Sequence, residues 1–205
     1  MQDLLLLVAD KNMEFAVEGA LHRYQALSIR QIGFKTLIHP GRDPGVRLTG
    51  AQLVALERHQ FRHACMILDY EGSGSVEKAS DLESSLDQEI EKIWGNHAKA
   101  IVIEPELERW LWGSDSALEP IIDWKERLSP RDWLRKQSNA HLFDNDDKPL
   151  RPKEAFEQVL RKAKTPRSSS LYREVTSKIS VARCTDPAFL RLRSALQLWF
   201  PVASP

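Results

Sequence analysis

Cys65-Met66-Ile67-Leu68-Asp69-Tyr70-Glu71-Gly72-Ser73-Gly74 is the stretch from which the rest of the chain can be read. Its apolar run has the pattern of a strand buried on both faces of a parallel sheet. Two acids follow, two positions apart, and then two glycines around a serine. In open α/β sheets ligands lie beyond the carboxyl ends of the strands, where Asp69 and Glu71 would fall. Residues two apart at a strand end point the same way, so both carboxylates can face one hard cation such as Mg²⁺. The glycines let the backbone turn sharply and approach a phosphate. The alternative is an acidic turn that merely ends a strand.

The flanking segments repeat the pattern. Asp3 to Val8 is a buried strand, followed by a helix from Met13 to about Tyr24 capped by Asn12. Ser28 to His39 alternates apolar and polar residues and suits a second strand. Pro40 to Arg47 is a breaker-rich loop, after which Thr49 caps a helix from Gly50 to Gln60. His63 to Leu68 is the third strand and Lys78 to Trp94 an amphipathic helix. Ala98 to Ile103 is the fourth strand, and a helix from Pro105 to Trp112 follows it. Strands alternating with helices predict an α/β fold with a parallel sheet of about four strands, flanked by helices. Strand signals stop at Ser116. The expected organisation is a core over 1–115 and a helical C-terminal extension over 116–205, packed together as one domain.

Acids therefore stand at three strand ends: Asp10, then Asp69 with Glu71, then Glu104, Glu106 and Glu108. Phosphoryl-transfer sites use such acids to hold Mg²⁺. Helix starts also collect acids to complement the helix dipole, which is the competing account of the glutamates. Lys11, Arg42, Arg47 and Arg109 lie nearby in sequence and are the candidate phosphate contacts of a nucleic acid. Trp110, Trp112, Trp124 and Trp133 cluster at the start of the extension and read as docking residues rather than a base-stacking platform.

Composition sets the outer bounds. The 205 residues suffice for one domain with a real core, and 29 basic residues balance 29 acids, so no global positive field advertises nucleic acid. Cys65 and Cys184 read as reduced thiols, without zinc-ligand spacing. The Leu4–Val8 run is too short to span a membrane. The expected setting is cytoplasmic.

The order of these motifs resembles the Toprim fold of topoisomerases, primases and overcoming-lysogenization-defect nucleases. The segment Pro105-Glu106-Leu107-Glu108-Arg109-Trp110-Leu111-Trp112 is similar to one in a small Toprim-like bacterial family, whose helical tail Pro152, Lys153, Tyr172, Phe189 and Leu190 also match. Val8-Ala9-Asp10-Lys11-Asn12, with His39-Pro40-Gly41-Arg42-Asp43, is nearer to the small Toprim-like component of bacterial methylation-associated phage-defence systems. The resemblance implies a nucleic-acid-processing protein that works with other defence proteins. Asp69 and Glu71 would bind Mg²⁺ or Mn²⁺, with Glu104 or Glu106 completing the shell. The chain departs from the Toprim pattern at Ala9, where a glutamate is expected. Asp10 would then stand in for it, making Asp10, Asp69 and Glu71 the catalytic set. A degenerate Toprim-like interaction module is the alternative function, and a nucleotide or small-ligand sensor a third.

Overall fold

The computed structural model describes residues 1–137 and 142–202. The strands β1 (Gln2–Val8), β2 (Phe34–Ile38), β3 (Phe61–Asp69) and β4 (Ala98–Ile103) form one sheet in the order β2-β1-β3-β4. Every pairing is parallel, with Val8 opposite Ile38 and Ile67, and Asp69 opposite Ile103. β1 and β3 are internal, which is why Leu4 to Val8 and Ala64 to Leu68 are apolar without a break and fully buried.

Helices fill the crossovers. α1 (Lys11–Leu21) and the short α2 (Tyr24–Leu27) follow β1, α3 (Arg42–Ala55) follows β2, and α4 (Ala79–Trp94) follows β3. After β4 come α5 (Glu108–Leu111), α6 (Asp115–Leu118), α7 (Pro130–Arg135), α8 (Pro152–Ala163), α9 (Ser169–Lys178) and α10 (Pro187–Trp199). Among the described residues, no helix is long and apolar enough to cross a membrane.

Several expected boundaries move, among them the helix expected over Pro105–Trp112, which is α5 at Glu108–Leu111. Asp10, not Asn12, caps α1: its Oδ1 accepts from Met13 N at 2.9 Å, while Asn12 Oδ1 takes the Ser169 hydroxyl at 2.8 Å. β2 is shorter than expected, because Ser28 turns left-handed (φ 59°) and the regular strand begins only at Phe34. The breaker-rich loop is in fact the first turn of α3. Pro44 lies in that turn, where it forfeits no intrahelical hydrogen bond. Gly45 is required there by space, since a Cβ would stand 2.1 Å from His39 Nδ1. Thr49 is thus inside the helix, and its hydroxyl donates back to Gly45 O at 3.2 Å.

α4 closes the outer edge of β4. Glu83 Oε2 accepts from Val102 N and Asp87 Oδ1 from Ala100 N, each at 2.7 Å. One helical turn and two strand residues cover similar distances, about 6 Å, so an i, i+4 pair can satisfy alternate strand amides. The exposed edge donors are thereby removed.

Two of the contacts that pack the extension on the core bear on its stability. α10 lies against β4, and α9 lies along α1, with Gly19 at the closest approach. A Cβ there would meet Thr176 Oγ1 at 2.2 Å and Arg173 O at 2.6 Å. Gly19→Ala is expected to cost about 1–3 kcal/mol by overpacking. At about 2–4 °C per kcal/mol in a chain of this size, calorimetry should show Tm falling by roughly 2–12 °C. An unchanged Tm would show that the two helices separate freely.

Candidate functional site

The carboxyl end of the sheet collects five acids from four segments. Asp69 ends β3, Asp10 follows β1, Asp43 sits in the first turn of α3, and Glu106 and Glu108 follow β4. Asp69 is the centre. The residue is half-buried, yet its Oδ1 is sealed from solvent and has no hydrogen-bond partner among the described residues. Burial, followed by repulsion from Asp43, Glu108, Glu106 and Asp10, pushes its carboxyl well above the usual range.

Asp43 holds the turn in place. Its Oδ1 accepts from Asp69 N at 2.7 Å, and its Oδ2 lies 2.5 Å from where a Gly72 Cβ would be. Burial raises its carboxyl; the Asp69 amide opposes the rise and Asp10 adds to it. Gly72 is therefore a close-approach glycine, but the group it admits is this carboxylate.

Glu106 and Glu108 are both buried. Glu106 is pushed up to about 7 by burial and by Glu108, against the pull of Lys153. Lys153 N donates to its Oε1 at 3.1 Å, and Lys153 Nζ lies 3.7 Å from its Oε2. Glu108 Oε1 accepts from Tyr172 Oη at 2.5 Å and from Arg167 at 2.8 Å. Burial and then Glu108 push the Tyr172 phenol far up, so it remains a donor.

Several expected positions differ. Asp69 and Glu71 do not face one point: β3 ends at Asp69, the chain enters a 3₁₀ turn at Glu71–Ser73, and Glu71 is exposed, adding only repulsion to Glu106. Glu104 is also exposed and lines a different cleft with Glu83 and Arg191. Asp10 reaches the cluster, but one of its oxygens is occupied as a helix cap. Of the basic candidates, Arg109 is spent on Asp144, Asp146 and Asp186, and Arg47 Nε donates to Ser73 O at 2.8 Å. Lys11 and Arg42 are exposed, with Lys11 over the Phe15 ring. The basic groups at the acids are instead Lys153 and Arg167, brought by α8 and the loop after it. Trp110 and Trp112 are buried and offer no surface to a partner.

Asp43 escaped the sequence reading because its segment looked like a loop. An acid and a proline within the first turn after a glycine, as in Gly41-Arg42-Asp43-Pro44, also mark a helix start, and that signal was present. Lys153 and Arg167 meet the acids only through the tertiary fold.

The donor set suits a hard cation: all oxygens, ionised at a cost, with one unpartnered. Among the described residues, however, no group of three or more His, Cys, Asp or Glu side chains is arranged to hold a metal alone. A cation here would draw on one or two carboxylates, with waters and substrate oxygens for the rest, as Mg²⁺ commonly does. No family model, curated protein or solved structure matches the chain.

Proposed function

We propose that this chain is a Mg²⁺-dependent, nucleic-acid-processing Toprim-like protein that cleaves phosphodiester bonds as a component of a bacterial phage-defence system. The observation that carries the reading is the sealed, unpartnered Asp69 Oδ1 amid four other carboxylates. Such a cluster is strained without a cation and relieved by one. Asp69 and Asp43 would hold Mg²⁺, which supplies charge neutralisation at a phosphate and acidifies a water. Glu106, with a pKa of about 7, is tuned to take or give a proton near neutral pH. Lys153 and Arg167 border the acids and are the residues to meet a phosphodiester backbone. The defence setting rests on the sequence resemblance at Val8–Asn12 and His39–Asp43.

A second reading, an interaction module without chemistry, is favoured by one specific feature. Lys153 and Arg167 already neutralise Glu106 and Glu108, standing where a cation's charge would act.

The test is calorimetric titration of the full chain with Mg²⁺ and Mn²⁺, alongside incubation with single- and double-stranded DNA and RNA. Saturable binding and metal-dependent cleavage are expected, with cleavage falling about 10²–10⁴-fold in Glu106→Gln. No metal binding and no cleavage of any of the four substrates would overturn the enzyme in favour of the module.

A further inference from the structure

A cleft of about 1170 Å³ lies between α6, the loop at 144–148 and the C-terminal end of α9, sharing no lining residue with the acidic cluster. Lys148 lines it and is 4 % exposed, and its Nζ is sealed with no hydrogen-bond partner among the described residues. A buried ammonium without a counter-ion costs several kcal/mol. This one cannot readily swing out. Lys148 N donates to Asp144 Oδ1, and Lys148 O accepts from Asp144 N, each at 2.9 Å, while Asp144 is itself clamped by Arg109.

Neighbouring charges do not supply the missing anion. Of the cleft's acids, Asp115 pairs with Arg131 at 3.4 Å, though its Oδ1 has no hydrogen-bond partner among the described residues, and Asp146 pairs with Arg109, outside the lining, at 3.7 Å. Lys178 and Arg183 have no carboxylate partner among the described residues, and Arg183 Nε donates only to Ser180 Oγ at 3.2 Å. With Asp115 and Asp146 taken up in these pairs, Glu174 is the one lining acid left against Lys148, Lys178 and Arg183. Half-buried Ala117 and Ile121 form an apolar flank beside these cations.

We propose that this cleft binds a phosphate-bearing small molecule, its phosphate against Lys148, Arg183 and Lys178. A phosphate fits the excess better than a carboxylate does, since it offers more oxygens and up to two charges to cations from three segments. The apolar flank takes the uncharged part of the ligand. The proposal stands apart from the chemistry assigned to the acidic cluster.

The experiment is calorimetric titration of the full chain, in EDTA so that the metal-dependent site is silent, with inorganic phosphate, pyrophosphate and AMP. Saturable binding of at least one is expected. AMP binding without inorganic phosphate would place the apolar flank in the site, and the reverse would restrict the site to the anion. Lys148→Met keeps the length of the side chain and removes the charge; affinity should fall about ten- to hundredfold. Its fold should hold, because the change removes an unpaired buried charge. If it does not, Arg183→Gln at an exposed position carries the test, with an expected loss of about tenfold. The proposal is overturned if wild type binds none of the three at about 10 mM, or if a folded variant binds as tightly as wild type.

Discussion

Asp69→Asn is expected to melt higher than wild type in the absence of metal, and to lose most of the stabilisation that Mg²⁺ gives. The substitution keeps shape and removes the most strongly repelled charge of the cluster. The Asp43 contact survives, because Asp43 accepts from the backbone amide of residue 69. Removing a carboxyl whose ionised form is penalised by burial and by four neighbouring acids should raise Tm by several degrees. Wild type should gain about 2.7 kcal/mol at a Mg²⁺ concentration 100 times its Kd, and the variant little at that concentration. Scanning calorimetry of both proteins, with EDTA and with Mg²⁺, checks the pair of results. If Asp69→Asn lowers Tm in EDTA, the carboxylate stabilises the fold and the cluster is not a strained cation site.

The same electrostatics sets a pH dependence. Glu106 holds its proton to about pH 7 in the fold, against an ordinary value of 4.5. Between those values the folded chain binds more protons than the unfolded one, so metal-free stability falls as pH rises from 4.5 to 7. Asp69 and Asp43, both raised, act in the same direction. A bound cation favours the ionised forms, and its stabilisation should therefore grow with pH across this window. Glu106→Gln should reduce the metal-free slope by about 1 kcal/mol per pH unit, leaving the part that Asp69 and Asp43 contribute.

How far the sequence could be read depended on the range of the interactions involved. β1, β3 and β4 were legible because burial on both faces forces apolar runs that no turn residue interrupts. α3 was obscured by Pro40, Gly41, Pro44 and Gly45. Their joint meaning depends on the His39 ring, which excludes a side chain at Gly45 from a different element. At the site, Asp69 and Glu106 were found by position at strand ends, the one local rule that applies. Glu71 followed the strand rule only until the strand stopped at Asp69. Glu108 read as a dipole partner, while its hydroxyl and guanidinium donors, Tyr172 and Arg167, come from the extension. Charge neutralisation between distant segments leaves no spacing to read.

Asp186→Ala is expected to be the most destabilising single change at the junction of core and extension. Asp186 is 1 % exposed and accepts three donors. Phe189 N at 3.0 Å makes it the cap of α10, Trp110 Nε1 at 2.9 Å joins it to the segment after β4, and Arg109 Nε at 2.9 Å pairs its charge. Truncation leaves a buried indole N–H unpaired, removes a helix cap, and strips one counter-ion from a guanidinium that is itself only 14 % exposed. Breaking one side of a buried pair costs about 3–5 kcal/mol, so Tm should fall by roughly 10 °C. Asp186→Asn separates the contributions: it can still accept from Phe189 N and Trp110 Nε1 but carries no charge for Arg109. It should lose about half as much. Equal losses for Ala and Asn would assign the whole effect to the ion pair. A near-wild-type Asn variant would assign it to the cap and the indole, and Asp144 would then suffice as the counter-ion of Arg109.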